Sequence, residues 1–320
     1  MEAVPARYIR ACGEDLAKAQ ARWGETLLWR EEAVMNQLLY TPQPNFARLL
    51  RAYPSFLHGR DREGSIVWYE QLGKVAVSEL LRSGVTIEEV LLHKLYISEY
   101  LWRVAEPNPE AQCLTVLDLA GLKLGDFKGA ATTFVKRYAE LMAQHYPNRS
   151  KMIVVLNAPF FFTAIWKVAS KTLDAETRGK VVIWKRPKVK RGKRKTSRCI
   201  ELERYVALEE QPRCYGHPWK SAYQWGQAPE HLALVAWVEQ TDAGMEAATR
   251  GGGAEDGREL SRTVSNAMLA RFRSASDAMS ARFDAKAIRA LAVEEGGGDA
   301  TVNPLELAAP KPRVKQPWER

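Results

Sequence analysis

Side chains able to do chemistry are scattered through this 320-residue chain without a catalytic spacing. The five histidines (His58, His93, His145, His217 and His231) form no HExxH or other metal-ligand pattern. The four cysteines (Cys12, Cys113, Cys199 and Cys214) form no CxxC or CxxxC pair. Zinc and a disulfide framework are therefore poor readings, and a reducing compartment is the default. No GxSxG, Walker loop or GxGxxG occurs, and the glycines at 251–253 lack the strand before and helix after that a phosphate loop needs. These observations predict a non-enzyme with no metal or cofactor. Two other features concentrate physical chemistry, a run of bases and a run of aromatics.

The chain carries 47 Lys and Arg against 38 Asp and Glu. Nine of those bases lie in 185–198: Lys185, Arg186, Lys188, Lys190, Arg191, Lys193, Arg194, Lys195 and Arg198, with no acid among them. The rest of the chain is formally neutral, so the +9 net charge is one local feature. Such a run reads as a solvated loop, as a patch for an anionic membrane, or as a nuclear or nucleic-acid signal. A cluster near anionic lipid is worth roughly 1 kcal/mol per base. The lack of interleaved aromatics argues against a single-strand nucleic-acid platform.

The aromatic feature is 146–166, YPNRSKMIVVLNAPFFFTAIW. A five-residue apolar run, Met152 to Leu156, meets an Asn157-Ala158-Pro159 break and then Phe160, Phe161 and Phe162. From the residues alone, these aromatics fill a core. They also suit a carrier, because moving a lipid through water exposes about 0.8 kcal/mol per CH₂ and demands an apolar cavity. A membrane span is a poor reading of 152–169, which Asn157, Pro159 and Lys167 interrupt and which falls short of the roughly 20 apolar residues required. The N-terminal MEAVPARYIR lacks a long apolar h-region, so no signal peptide is expected.

The elements that must position these residues alternate. Apolar periodicity predicts helix over 6–40, 44–52, 86–105, 127–145 and 160–171. Strand-rich runs lie at 66–72, 113–119, 151–157 and 181–184, the first as one arm of a hairpin about Asp61–Gly64. LALVAWV at 232–238 is strand or helix, and 240–257 reads as linker. Strand 113–119, helix 127–145 and strand 151–157 make a βαβ unit, which predicts an α/β fold with a mainly parallel sheet. NAMLARF (266–272) recurs as DAMSARF (277–283), eleven residues on, which puts both copies on one face of a helix over 258–291. That helix reads as an interfacial amphipathic helix or as a surface or coiled-coil helix. Gly, Pro and charge dominate 293–320, which reads as disordered.

The order of segments resembles the CRAL-TRIO family of lipid-binding and lipid-transfer proteins. It runs from a helical start ending in WREE, through YPSFLHGRDREGSIVWYEQLGKV and LTVLDLAGL, to HYPNRSKMIVVLNAPFFFTAIWKVASKTLDAETRGKVVI. The resemblance covers about Tyr8 to Ile183 and continues toward Gly216. It implies a helical N-terminal lobe (1–52), a lipid-binding lobe (53–216) whose sheet floors an apolar cavity, an extension and linker (217–257), a helix (258–292) and a tail (293–320). It also implies a mobile gate after the Asn-Ala-Pro turn, holding Phe160, Phe161, Phe162, Ile165, Trp166 and Val168.

In family members that bind phosphatidylinositol, two adjacent bases lie in the N-terminal helix, a Glu follows the Tyr-Pro pair, and a Thr and a Lys follow the gate. The matched positions here are Cys12, Gly13, Asn148, Thr177 and Lys180, so Thr177, Lys180 and the neighbouring Arg149 are kept while two bases and the acid are lost. Thr115 matches a hydroxyl resembling part of the family's choline-lipid site, and it also reads as a satisfied strand hydroxyl. Trp68 and Tyr69 are expected to face the cavity. The resemblance implies a phospholipid, or a sterol-, retinoid- or tocopherol-like ligand, and a cytoplasmic, peripheral membrane protein, with a monomer favoured. Nuclear localisation through 185–198, and a lipid-sensing scaffold role, stay open.

Overall fold

A computed structural model of the chain describes residues 3–75, 77–126, 129–170, 175–185, 201–215, 223–248 and 254–295. The chain divides into two compact units, Met1–Ser276 and Asp277–Arg320. In the second unit the described residues continue a helix to Glu295.

The long helix predicted over 6–40 is three pieces. Helix α1 (Ala6–Ala11) stops because Gly13 and Glu14 both take φ of 64°, which no α-helix accommodates. Helix α2 (Leu16–Glu32) restarts at Asp15, whose side chain accepts from the Lys18 amide at 3.0 Å. It ends before Val34, at φ 55°, and a 3-10 turn over Met35–Tyr40 follows. Helix α3 spans Phe46–Ala52.

Strand β1 (Ser55–Arg60) pairs antiparallel with β2 (Ile66–Glu70). Gly59 in β1 has a φ of +64°, and a Cβ there would stand 2.4 Å from the Glu210 carbonyl oxygen, so only glycine lets the 208–210 turn close against this strand. Helix α4 (Val77–Arg82) and helix α5 (Ile87–Tyr100) lead to β3 (Cys113–Asp118). A capping box between Thr86 and Glu89 starts α5, and one π turn, Leu101–Ala105, ends it. Helix α6 (Ala130–His145) connects to β4 (Ser150–Ala158). Helices α7 (Phe162–Ala169) and α8 (Ala175–Gly179) connect to β5 (Val181–Lys185).

The sheet runs β1-β2-β3-β4-β5, with every pair after the first parallel. Strand order equal to chain order, with crossovers of one hand, puts the connecting helices on one face. Val67, Tyr69, Leu114, Val116, Val154 and Leu156 form the opposite face, covered by Leu202, Val206 and Tyr215, with Trp225 packed alongside. Helix α9 (Pro229–Ala248) contacts β1, so residues 240–248, predicted as linker, continue a helix. Helix α10 (Ala254–Glu295) begins in the first unit, where Met268 and Phe272 are buried. The 293–320 tail lies outside the described residues after Glu295.

The Asn-Ala-Pro break has a local cause. Asn157 takes a φ of 56°, and its side-chain amide donates to Asp118 Oδ1 at 2.8 Å. Asp118 also accepts from the Ala120 amide at 2.9 Å and from the Tyr215 hydroxyl. One carboxylate thus ties the ends of β3 and β4 together and redirects the chain into α7.

A candidate lipid cavity on the helical face of the sheet

Strand alternation selects which residues face the helices. Trp68, Thr115, Leu117 and Ile153 point up from β2, β3 and β4 into a cavity of about 250 Å³. Tyr138 and Met142 of α6 close it from above, four residues apart and therefore on one helical face. At one end stand Tyr146, Asn148 and Arg149, with Thr177 and Lys180 across from them and Arg22 entering from α2.

The floor carries a buried ion pair. Lys94 Nζ lies 2.8 Å from Glu70 Oε1, with both side chains nearly inaccessible. The ammonium also sits 4.1 Å from the Trp68 ring centre, 5.0 Å from Tyr53 and 5.5 Å from Tyr138. Burial lowers the Lys94 pKa, and the Glu70 charge and hydrogen bond oppose that shift. The cavity's carboxylate at Glu70 is thus committed to Lys94, while Arg22, Arg149 and Lys180 reach the lining from other elements. The electrostatic balance at this end favours an anion.

Trp68, Thr115, Arg149, Thr177 and Lys180 line the cavity. Tyr69 does not. The one-residue step from Trp68 turns it to the opposite face, where it stacks on Tyr215 at 5.9 Å. Thr115 Oγ1 has Ser150 Oγ at 3.5 Å and Cys113 Sγ at 3.6 Å, both long for hydroxyl bonds. One nitrogen of Arg149, Nη1, donates to the carbonyls of Ala111 at 2.9 Å and Pro109 at 3.0 Å, and the guanidinium lies 4.5 Å from the Trp102 ring centre. Burial, with Arg7 nearby, pushes its pKa down to about 10. Lys180 Nζ donates to Asn148 Oδ1, a neutral acceptor, at 2.9 Å.

The three phenylalanines fall outside this lining. Phe160 is 92% exposed and meets Phe161 edge-on at 5.6 Å. Phe162 packs on an apolar cluster of Leu119, Val155 and Ala158 that also includes Leu117 and Ile153. Those last two line the cavity as well, so the cluster beneath α7 is continuous with it. Trp166 is half-buried on α7, and Ile165 lies on the same helix. Lys185 closes β5, while Arg186, Lys188, Lys190, Arg191, Lys193, Arg194 and Lys195 lie outside the described residues.

Sequence reading missed Arg22, Tyr138, Met142 and the Lys94–Glu70 pair. The heptad-like recurrence of Phe134, Tyr138, Leu141 and His145 marked an inward face of α6, but not what it faced. Among the described residues, no group of three or more His, Cys, Asp or Glu is placed to share a metal ion, and no helix is long and apolar enough to cross a membrane.

The CRAL/TRIO domain profile matches residues 50–216, just over half of the chain, and the chain belongs to that family. The SEC14 cytosolic factor of Eremothecium gossypii is 29% identical over 189 residues, which are 55% of this chain and 59% of that protein. The SEC14 cytosolic factor of Yarrowia lipolytica is 30% identical over 192 residues, or 56% and 37% of the two chains. The phosphatidylinositol/phosphatidylcholine transfer protein SFH7 of Arabidopsis thaliana is 26% identical over 183 residues, or 55% and 33%. The matches thus span one third to three fifths of these relatives' lengths. A crystal structure of Sfh5 aligns with a TM-score of 0.45 at 16% identity, over 55% of this chain and 63% of that one.

Proposed function

We propose that this chain binds one phospholipid on the helical face of its sheet and carries it between membranes without chemical change. The observation that supports this reading most is the junction of a cationic end, at Arg22, Arg149 and Lys180, with an apolar floor that continues under α7. A phosphate headgroup suits the first and acyl chains suit the second. A cavity of about 250 Å³ is smaller than the 300–1,000 Å³ typical of drug-sized ligand sites. A diacyl lipid therefore enters only if α7 lifts from the Leu119–Val155–Ala158 cluster and joins that surface to the cavity. On this reading α7 is the gate, and exposed Phe160 touches the bilayer when it opens. The nine bases of 185–198 hold the protein on an anionic leaflet. Two of the relatives are cytosolic factors, which favours a cytosolic carrier.

The test is uptake from phosphatidylcholine vesicles containing phosphatidylinositol, followed by re-isolation of the protein and lipid analysis. We expect stoichiometric phospholipid, and Phe160→Asp should slow exchange several-fold while leaving thermal stability unchanged, since the side chain is exposed. Protein recovered free of lipid sinks the reading. Deleting 185–198 should reduce binding to anionic vesicles while lipid loading persists.

A further inference from the structure

We infer that a second cavity, bounded by α3, α5 and α10, binds a small zwitterion with an apolar body, the chemistry of a free apolar α-amino acid. This cavity holds about 240 Å³ and shares no lining residue with the cavity over the sheet. All of its lining lies within the first unit. Its walls are the 41–45 segment, the start of α3, the Glu89, Leu92 and His93 side of α5, and residues 262–269 of α10. The spacing of three and four residues places the α5 contributors on one helical face.

The walls are fixed by their own contacts. Pro42 and Pro44 each hold one φ of the 41–45 segment. Between them the Gln43 amide donates to Asp242 Oδ1 of α9 at 2.7 Å. Ser265 Oγ of α10 donates to the Pro42 carbonyl at 2.7 Å. Buried Phe46, Leu49, Leu92 and Met268 make the interior apolar. His93 is 1% exposed and packs 4.9 Å from the Phe46 ring centre. Neither of its ring nitrogens has a hydrogen-bond partner among the described residues, a state that buried polar groups rarely keep. Burial, with Lys94 and His231 adding to the effect, holds its pKa at about 3, so the ring is neutral.

Two charged side chains therefore define the recognition, Glu89 and Arg262. Glu89 Oε2 is committed to the Thr86 amide at 2.7 Å and hydroxyl at 3.0 Å. Glu89 Oε1 has only the Asn45 amide group at 3.4 Å, a long contact. Arg262 forms no ion pair among the described residues. An acid and a base that share one cavity without neutralising each other fit a ligand carrying both charges. Its ammonium would meet Glu89 Oε1, and its carboxylate would meet Arg262 and the Asn266 amide four residues along α10. The volume is below the 300–1,000 Å³ typical of drug-sized ligands, which limits the occupant to the size of an amino acid.

The experiment is isothermal titration of the full chain with L-phenylalanine, hydrocinnamate, which lacks the ammonium, and phenethylamine, which lacks the carboxylate. Wild type should bind L-phenylalanine about fivefold more tightly than either analogue, the scale of one partly exposed ion pair. Arg262→Gln should weaken L-phenylalanine and hydrocinnamate about fivefold and leave phenethylamine unchanged. Glu89→Gln should weaken L-phenylalanine and phenethylamine and spare hydrocinnamate. If Glu89→Gln does not fold, because Glu89 also caps α5, Arg262→Gln against the same three probes decides. Ala139→Trp fills the cavity over the sheet and should leave L-phenylalanine binding unchanged. Loss of binding in that variant would move the ligand to the lipid cavity and overturn the inference. Wild type that binds none of the probes, or all three equally, overturns it too, as does Arg262→Gln binding L-phenylalanine as wild type does. None of these outcomes depends on whether the chain carries lipid.

Discussion

Lowering the pH from 7 to 5 is expected to destabilise the protein by about 7 kcal/mol and to unfold it cooperatively near pH 5. His58, His93, His145 and His231 are buried, none more than 4% exposed. Burial pushes His58 and His231 down to about 4, and His231 is further lowered by His58. Burial pushes His93 to about 3, with Lys94 and His231 adding to the effect. It also pushes His145 to about 3, with Arg30 and Arg22 adding to the effect. In the unfolded chain these rings protonate near 6.5. Below that value the unfolded state binds up to four protons that the folded state refuses. Stability is therefore full above pH 6.5 and falls as pH drops toward the folded values, with a slope of about 5 kcal/mol per pH unit near pH 5. Tryptophan fluorescence and far-ultraviolet circular dichroism across pH 7.5 to 3.5 would report the transition. Native signals held to pH 4 would contradict the burial of these rings as neutral groups.

The second large effect is at Glu99. Its carboxylate is 2% exposed and accepts from Arg30 Nη1 and Nη2, each at 2.8 Å, and from the Tyr146 hydroxyl at 2.5 Å. Arg103 adds a longer contact at 3.4 Å. Burial opposes ionisation of Glu99, but the Arg30 hydrogen bonds and charge, with Tyr146 and Arg103, outweigh it and hold the pKa below its ordinary value. This group joins α2, α5 and the Tyr146 end of the cavity. Removing the carboxylate takes the acceptor from the buried Tyr146 hydroxyl and leaves the Arg30 guanidinium with the Asn36 side-chain oxygen as its remaining hydrogen-bond partner. Glu99→Ala should cost about 3–5 kcal/mol in urea unfolding. Glu99→Gln should cost less, because the amide oxygen keeps one acceptor. A loss under about 1 kcal/mol for Glu99→Ala would show the pair to be replaceable.

Much of the α/β lobe was legible because its signals are local. The predicted strand at 151–157 is Ser150–Ala158, and the predicted helix at 127–145 is Ala130–His145. The Asn-Ala-Pro turn was legible as a break, and its cause, an αL asparagine bonded to Asp118, needed the neighbouring strand. The N-terminal helix misled because apolar spacing continues across Gly13 and Glu14, whose backbone cannot stay helical. Trp68 and Tyr69 had to face opposite ways by alternation, but which face carries the cavity depends on where the helices pack. The capture of Arg149 by carbonyls near residue 110, and of Arg22 by the end of α6, joins segments far apart in sequence, and no local pattern encodes either.

The most direct test of a lipid held on this floor is native mass spectrometry of the full chain after gentle purification, beside an Ala139→Trp variant. Ala139 lines the cavity from α6, and a tryptophan there fills the space with little change elsewhere. The expected result is wild type carrying one releasable phospholipid mass and a folded variant carrying none. Wild type with no bound mass, or a variant loaded as fully as wild type, would contradict a lipid site in this cavity.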